Sequence, residues 1–279
     1  MSTQTPGTLY LVATPIGNLG DISFRAVETL RQVDFIAAED TRVTRKLLNY
    51  LEIKKQLVSF HEHNSRESGE KVVIRILRGE SCALVTDAGM PCISDPGEDI
   101  TRMCGEVGIL ITAIPGPCAA VMALALSGLP SGRFVFEGFL STARKSRFER
   151  LEELKTEQRT MIFYEAPHKL IRTLHDMMNA FGDRRVSISR ELTKLFEETR
   201  RFTLSEAVKY FEENPPRGEF ALVLEGTQKS PVAVLSIDDA VSMAKIHIES
   251  GLSVKDAVKI AAGQTGVPKN ALYNAVIKE

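Results

Sequence analysis

The first 118 residues are constrained most by a regular alternation of short apolar runs with longer amphipathic stretches. Five runs have the length and composition of buried strands, at residues 8–14, 35–38, 57–60, 82–85 and 109–113. The intervening stretches show helical spacing, as in residues 66–78, where apolar side chains recur every three to four positions. Strands and helices that alternate through short loops form a mostly parallel sheet, so we predict an α/β fold with helices on both faces.

The remaining sequence predicts a second α/β domain and a helical tail. After a turn-rich joint at 127–132, strand-like runs occur at 133–136, 160–164, 186–189, 201–203 and 220–224, with helices at 143–157, 167–181 and 204–213. A polar linker at 227–234 precedes three short helices at 238–249, 254–262 and 268–277, with a turn of helix-turn-helix length at Gly266. We therefore divide the chain into α/β domains at 1–118 and 119–229 and a three-helix tail at 235–279.

Composition is that of an ordinary globular protein, with 43% hydrophobic residues, 25% charged residues and a net charge of −1. No apolar run reaches about 18 residues, and the N-terminus lacks the basic-then-apolar pattern of a signal peptide. We therefore expect a cytoplasmic protein with no membrane segment. A net charge near zero excludes a uniformly basic surface but permits a local basic face for nucleic acid.

Histidines and cysteines form no metal-binding pattern. His61 and His63 stand two apart on a predicted strand end, where they would point to opposite faces. The four cysteines include no C-x-x-C pair and no neighbouring histidine, which favours reduced structural thiols. We predict no bound metal.

Residues 82–97 carry the strongest local signal for a ligand site. A buried-strand run ends at Thr86 and Asp87, and small or turn-forming residues follow. Asp95 and Pro96 then have the pattern of a helix start, with aspartate as N-cap and proline as the first helical residue. Ligands of open α/β sheets bind at the carboxyl ends of strands. The stretch therefore predicts a notch in which Asp87 either accepts hydrogen bonds from a ribose or an amine, or caps the turn.

Two further turns fall at the same predicted sheet edge. The loop at 15–20 contains only Gly17 and Gly20, short of the G-x-G-x-x-G spacing, and the sequence contains no G-x-x-x-x-G-K-[ST] motif. A dinucleotide or ATP site is therefore not predicted, while approach to another ligand and a purely structural turn both stay open. In the rigid turn at 115–117, a glycine lets the backbone approach a flat ligand closely.

Two polar clusters at strand ends are candidates for acid–base chemistry. Glu39, Asp40 and Arg42 follow the second strand, either as the polar start of a helix or as a cluster facing the same notch. Glu165 and His168 follow a strand of the second domain, where capping and acid–base roles are both open. The pattern alone does not choose between these roles.

Basic residues cluster on two predicted helices. Arg45 and Lys46 lie on one of them, and Arg144, Lys145 and Arg147 open another. Each cluster by itself is typical of a solvated face. If they converge around one cleft, they form an RNA track whose affinity falls with added salt.

Several motifs together resemble the tetrapyrrole methylase superfamily. They are residues 11–21 (LVATPIGNLGD), 38–42 (AEDTR), 59–64 (SFHEHN), 85–97 (VTDAGMPCISDPG), 115–117 (PGP), 163–168 (FYEAPH) and 217–220 (RGEF). They occur in the family's order through residues 8–226, and the tail is similar to an extension found in members that act on ribosomal RNA. The resemblance implies two α/β domains with a cleft between them that binds S-adenosylmethionine.

The resemblance also implies an activity: 2′-O-methylation of a cytidine ribose in the decoding region of 16S rRNA of the small ribosomal subunit, carried out by a homodimer. It implies cofactor contacts from ten positions: Pro15, Asp87, Gly89, Met90, Ser94, Pro117, Cys118, Ala119, Tyr164 and Ala221. The chain departs from the family in two places. Thr86-Asp87-Ala88 stands where many tetrapyrrole-modifying members carry Gly-Asp-Pro, and Cys118 replaces the usual serine.

A ribose hydroxyl is a poor nucleophile, so we assign Asp40, with Glu39 and Arg42, to orienting or deprotonating it; Glu165 and His168 are the alternates. Candidate RNA contacts in the tail are Lys255, Lys259, Lys269 and Tyr273. A tetrapyrrole methylase and a non-catalytic ribosome assembly factor remain competing functions. The basic clusters and the tail favour RNA, because a porphyrin precursor requires neither.

Overall fold

Five parallel strands form the first sheet. The computed structural model describes residues 5–61, 65–227 and 236–278. The strands are β1 (Thr8–Val12), β2 (Phe35–Ala38), β3 (Gln56–Ser59), β4 (Cys82–Val85) and β5 (Leu110–Ile114), in the order β3-β2-β4-β1-β5. Cys82 of β4 is in register with both Leu9 and Phe35 on its two neighbours. The predicted parallel sheet is confirmed.

Helices cover both faces of this sheet. They are α1 (Phe24–Gln32), α2 (Thr41–Tyr50), α3 (Ser65–Leu77) and α4 (Glu98–Glu106). Successive side chains of a strand point to opposite faces, so Phe35 and Ile36 enter two different apolar cores. Phe35 packs with Phe60 and Ile76 on one face, while Ile36 packs with Leu30 on the other.

The start of α4 corrects one prediction. Asp95 does not cap this helix; the N-cap is Gly97, whose φ of +146° is a conformation that favours glycine. A Cβ at Gly97 would lie 2.6 Å from the Cys92 Sγ atom and 3.0 Å from Leu84. The tight packing of this loop thus moves the helix start beyond Pro96 and leaves the Asp95 carboxylate without a capping role.

The second sheet is mixed. Its strands are β6 (Phe134–Phe139), β7 (Thr160–Glu165), β8 (Arg185–Arg190), β9 (Glu198–Thr203) and β10 (Phe220–Leu224), in the order β6-β7-β10-β8-β9. Only β6 and β7 pair in parallel. The associated helices are α5 (Ala119–Ser127), α6 (Arg144–Leu154), α7 (Pro167–Phe181) and α8 (Leu204–Glu213).

Each face of the second sheet is also covered. One core joins Phe163 and Leu222 to apolar side chains of α6, α7 and α8. On the other face, Ala123 and Leu124 of α5 pack against Val223. Both sheets belong to one compact unit, Met1–Gly226, so the domain boundary at 118 stays a prediction.

The second compact unit, Thr227–Glu279, is a three-helix bundle. Its helices are α9 (Ile237–Glu249), α10 (Val254–Thr265) and α11 (Lys269–Lys278). Small apolar side chains such as Ala261 pack with Leu272 in its core. Ser236 forms a capping box, and Gly266 ends α10 with a φ of +71°, as the predicted turn requires. The linker predicted at 227–234 lies, apart from its first residue, outside the described residues.

Candidate active site

A cavity of about 360 Å³ lies where strand ends of the first sheet meet residues of the second. The first sheet contributes Glu39 after β2 and residues of the β4–α4 loop. Phe139, Tyr164 and Ala221 line it from the second sheet. The volume falls within the range of about 300–1,000 Å³ that is typical of small-molecule sites. We refer to this cavity as the cleft.

Glu39 and Asp87 tie the ends of β2 and β4 together at one end of the cleft. The backbone N–H of Asp40 donates to the Asp87 carboxylate at 3.1 Å, and that of Asp87 donates to the Glu39 carboxylate at 3.3 Å. Burial raises the pKa of both carboxyls, and neighbouring acidic charges add to the effect. This end of the cleft therefore favours a positively charged ligand group.

The loop after β1 is fixed against the loop after β4. Thr14 and Gly89 exchange both backbone hydrogen bonds, at 2.9 and 3.0 Å, and the Thr14 hydroxyl donates to the Thr86 carbonyl at 3.1 Å. Gly89 has a φ of +82°, and a Cβ there would lie 3.5 Å from Ile16. The two predicted turns are thus held at a fixed spacing, with Ile16 in the cleft wall.

Asp95 is a cleft residue for which the sequence pattern predicted a different role. Asp95 lines the cleft, and the charges of Glu39 and Asp87 act on its carboxyl. Burial, together with repulsion from those two acids, raises the pKa of Asp95 to about 7. The Asp-Pro pattern indicated a helix cap, so nothing in the sequence pointed to this role.

Aromatic side chains form the opposite wall. The Tyr164 hydroxyl oxygen accepts a hydrogen bond from the backbone N–H of Ala120 at 2.9 Å, which satisfies a donor in the first turn of α5. The centroid of the Tyr164 ring lies 5.2 Å from the centroid of the Phe136 ring and 5.6 Å from that of the Phe139 ring. Burial raises the pKa of Tyr164 to about 12, so its hydroxyl stays protonated near neutrality.

The cleft gathers eight of the ten positions assigned to the cofactor: Asp87, Gly89, Met90, Ser94, Cys118, Ala119, Tyr164 and Ala221. Pro15 instead lines a neighbouring groove with Thr44 and Leu47. The Pro117 carbonyl oxygen lies 3.8 Å from where a Cβ on Gly89 would be, so this residue packs close to the Gly89 loop but is not part of the cleft lining. The structure therefore places the strand-end positions together in one cavity and the two prolines outside its lining; contact of these residues with the cofactor stays a prediction.

Asp40 and Arg42 form a pair outside the cleft lining. Asp40 caps α2 by accepting from the Arg42 backbone N–H at 2.8 Å, and it binds the Arg42 guanidinium at 2.7 Å. The guanidinium lowers the Asp40 pKa to about 2. A carboxylate this acidic is a poor proton acceptor at neutral pH, which favours orientation of the hydroxyl over its deprotonation as the role of Asp40.

The alternate acid–base residues are placed differently from each other. Glu165 is buried in the cleft wall, where its two oxygens accept hydrogen bonds from Thr173 at 2.6 Å and from the Ala166 backbone at 2.8 Å. His168 is exposed on α7 and is not part of the lining. Glu165 is therefore a structural acceptor.

Four of the basic residues predicted to contact RNA lie on the surface of the two-sheet unit. Arg45 and Lys46 are exposed on α2, and Arg144 and Lys145 are exposed on α6. Lys145 forms an ion pair with Glu149 at 3.8 Å, which is too exposed to fix the lysine in place. These four side chains are accessible to a polyanion.

Arg147 is the exception among the basic residues, and the structure corrects its assignment. Its side chain is 4% exposed and its Nε atom lies 2.8 Å from an Asp176 carboxylate oxygen. Leu151 and Leu154 share its helical face, which packs on α7. Arg147 is therefore a core residue that no RNA phosphate reaches.

The loop between β8 and β9 contributes residues that no sequence pattern marked. Leu192 lines the cleft, and the next apolar pair, Leu195 and Phe196, is 91% and 68% exposed. Lys194 packs over Gly17, where a Cβ would meet its Cγ at 2.4 Å. The loop thus closes one side of the cleft while it presents an apolar tip to solvent.

The tail presents its four predicted RNA contacts to solvent. Lys255 and Lys259 are exposed on α10, and Lys269 is exposed on α11. Tyr273 is 39% exposed.

Within the described residues, no helix is long and apolar enough to span a bilayer, and no group of three or more potential ligand side chains is arranged to hold a metal.

Comparisons with known proteins identify relatives of both units. The family model for Tetrapyrrole (Corrin/Porphyrin) Methylases matches residues 8–208, and the RsmI C-terminal HTH domain matches residues 238–279. The chain is 48% identical to "Ribosomal RNA small subunit methyltransferase I" of Halalkalibacterium halodurans over 98% of its own length and 96% of the relative's. It is 46% identical to the protein of the same name from Bacillus subtilis, covering 96% and 94% of the two chains.

The fold is also similar to those of solved structures. Cobalt precorrin-4 methyltransferase superposes with a TM-score of 0.58 at 18% identity, covering 78% of this chain and 94% of the other. Diphthine synthase superposes with a TM-score of 0.60 at 14% identity, covering 80% and 92%. Identities this low support the shared fold alone.

Proposed function

This chain belongs to the tetrapyrrole methylase family, in the group of the ribosomal RNA small subunit methyltransferase I proteins, and from that membership we propose that it methylates ribosomal RNA of the small subunit. More specifically, the proposed reaction is 2′-O-methylation of a cytidine ribose in the decoding region of 16S rRNA, in the cytoplasm. The observation that carries the proposal is the nearly full-length match to those relatives, which includes the tail.

Members of this family use S-adenosylmethionine, and the cleft fits that molecule chemically. The cofactor combines a positively charged amino-acid portion with a flat adenine. Glu39 and Asp87 offer negative charge at one end of the cleft, while Ile16, Leu192 and Tyr164 offer apolar and aromatic surface. A cation placed among carboxylates with raised pKa values would also relieve their repulsion.

When bound, the cofactor supplies an activated sulfonium methyl group. The chain must then bring a ribose hydroxyl into line with that methyl and exclude water. The hydrogen bonds between the β2 and β4 ends and between Thr14 and Gly89 keep the cleft walls at a fixed spacing. Asp40 holds Arg42, whose side chain is 87% exposed and able to meet a phosphate.

Exposed basic residues lie on two helices that begin within a few residues of the cleft lining. Arg45 and Lys46 lie on the helix that starts at Thr41, directly after the Glu39–Asp40 strand end. Exposed Arg144 and Lys145 open α6, which follows β6 and the cleft residue Phe139. Basic clusters on two separate helices match the repeated phosphates along an RNA strand better than they match one tetrapyrrole molecule.

A methyl-transfer assay with radiolabelled cofactor tests the proposal against its competitors. Purified small ribosomal subunits, deproteinised 16S rRNA and a porphyrin precursor are offered in parallel. We expect label in the RNA of one or both ribosomal substrates and none in the porphyrin. Label in the porphyrin alone would establish the tetrapyrrole alternative, and failure to bind cofactor in calorimetry would establish the non-catalytic one.

A further inference from the structure

Asp95 occupies an unusual position among the acids of the cleft. Glu39, Asp87 and Glu165 each accept a backbone N–H bond from the chain. Within the residues that the structure describes, the Asp95 side chain has neither a hydrogen bond nor an ion pair. A half-buried carboxylate with no partner among these residues is available to a group that comes from outside.

The loop that carries Asp95 is rigidly fixed. Cys92 and Ser94 both have positive φ, at +71° and +61°, which side-chain-bearing residues seldom adopt. The Ser94 hydroxyl lies 2.9 Å from where a Cβ of Gly138 would be, so the loop is pressed against the bulged edge of β6. Strained backbone of this kind persists where surrounding packing determines it, and it is common at functional sites.

We propose that Asp95 is the general base of this enzyme, taking the proton from the ribose 2′-hydroxyl during methyl transfer. The inference rests on the proposed function, because it requires a hydroxyl nucleophile. The 2′-oxygen forms a bond to the methyl carbon, and the electron pair of the broken carbon–sulfur bond stays on sulfur. The hydroxyl proton passes to a carboxylate oxygen of Asp95.

The surroundings of Asp95 suit this role. Glu39 at the end of β2 and Asp87 in the same loop are both acidic, and the Tyr164 hydroxyl on β7 and the Cys92 thiol are the other titratable groups that sense its charge. Burial and the two neighbouring carboxylates bring the Asp95 pKa to about 7. A base is most effective when its pKa lies near the working pH, whereas Asp40, at about 2, is far below it.

The test compares Asp95→Asn with Asp99→Asn, a matched change four residues along the chain. Asp99 lies on α4, pairs with Arg102 and is not part of the cleft lining. Three measurements are made on the full chain: cofactor affinity by calorimetry, the single-turnover rate at saturating cofactor across pH, and the titration of ¹³C-labelled aspartate carboxyls by NMR in the cofactor-free protein.

For Asp95→Asn we expect unchanged cofactor affinity and a single-turnover rate lower by about 10²–10⁴-fold, the usual contribution of a general base. The wild-type rate should rise with pH through the neutral range, and this rise should be absent in the variant. The NMR resonance that titrates near neutrality should disappear in Asp95→Asn and persist in Asp99→Asn.

A wild-type rate and pH profile in Asp95→Asn would overturn the inference, as would weakened cofactor binding with a normal rate at saturation, which would make Asp95 a binding group. If the wild-type protein transfers no methyl group to ribose, the proposed function fails first. That result is visible before any variant is compared, so the two failures are distinguishable.

Discussion

Asp87 and Glu39 link the ends of the neighbouring strands β4 and β2 through two hydrogen bonds. The Asp87 carboxylate accepts from the backbone N–H of Asp40, which follows Glu39, and the Glu39 carboxylate accepts from the backbone N–H of Asp87. The arrangement fixes two negative charges at one end of the cleft without neutralising either. It is the main reason to expect a cationic ligand there, and it couples the geometry of the β2 end to that of the β4 loop.

Replacing Asp87 by asparagine should weaken cofactor binding. The side chain keeps an oxygen for the Asp40 N–H but loses the charge that attracts a cation. Because a hydrogen bond to a charged group contributes about 1.5–3 kcal/mol, we expect a dissociation constant higher by roughly 10- to 100-fold in calorimetry. An unchanged constant would show that Asp87 does not contact the cofactor.

Replacing Arg147 by alanine should destabilise the fold rather than weaken RNA binding. The change leaves the Asp176 carboxylate, 12% exposed, without its partner in the core. Breaking a buried ion pair in this way costs about 3–5 kcal/mol, which denaturant unfolding would measure. A stable variant with reduced RNA affinity would reinstate the original RNA-binding assignment.

Tyr164→Phe should lower stability slightly and leave the aromatic wall intact. The substitution removes the hydroxyl that accepts from Ala120 N–H at 2.9 Å but keeps the ring against Phe136 and Phe139. We expect a loss of about 0.5–1.5 kcal/mol in the free energy of unfolding. A large drop in cofactor affinity with no loss of stability would instead mean that the hydroxyl contacts the cofactor.

The raised pKa of Asp95 predicts a pH-dependent stability. A carboxyl whose folded pKa is about 7 binds protons more tightly folded than unfolded, so its stabilising contribution is full below its ordinary value near 4 and is lost as pH rises through 7. Asp95→Asn should therefore gain stability relative to wild type at pH 8 but not at pH 4. The free energy of unfolding of both proteins is measured at pH 4 and at pH 8. The same difference between variant and wild type at both pH values would contradict the raised pKa.

The tail lysines should contribute to RNA binding but not to cofactor binding. Neutralising Lys255, Lys259 and Lys269 together removes up to three phosphate contacts. Each such contact adds about 0.7–0.9 to the slope of log affinity against log salt, so we expect a slope reduced by roughly 2. Lys71→Gln on α3, where Lys71 already pairs with Glu67, is the control. An unchanged slope in the triple variant would remove the tail from the RNA interface.

The strands and helices could be predicted from the sequence, and so could the meeting of Asp87 and Glu39, because strand ends of a parallel sheet lie at one edge whatever the details of packing. Prediction from the sequence failed where tertiary packing overrides a local pattern. Asp95 has the pattern of a cap, yet contacts around Gly97 shift the helix start. Arg147 belongs to a basic run that was predicted to face solvent. Its helical spacing from Leu151 and Leu154 instead puts it on the buried face of α6.

The cleft also contains residues that no local rule identifies. Leu192 lies in the cleft lining on a loop in which its neighbours Glu191 and Thr193 both have positive φ. Phe139 lies in the lining at the end of β6, just after a bulge in that strand. Neither a positive φ at a residue other than glycine nor this bulge has a local sequence signature. The predicted homodimer likewise stays a prediction, which light scattering of the purified chain would test.

Mass mapping of 16S rRNA from cells with and without this protein tests the proposed ribose methylation most directly. We expect one cytidine in the decoding region to carry a ribose methyl group only when the protein is present. The same cytidine should regain this group when purified protein and S-adenosylmethionine are added to the unmodified subunits. Identical ribose methylation in both rRNA samples would contradict the proposal.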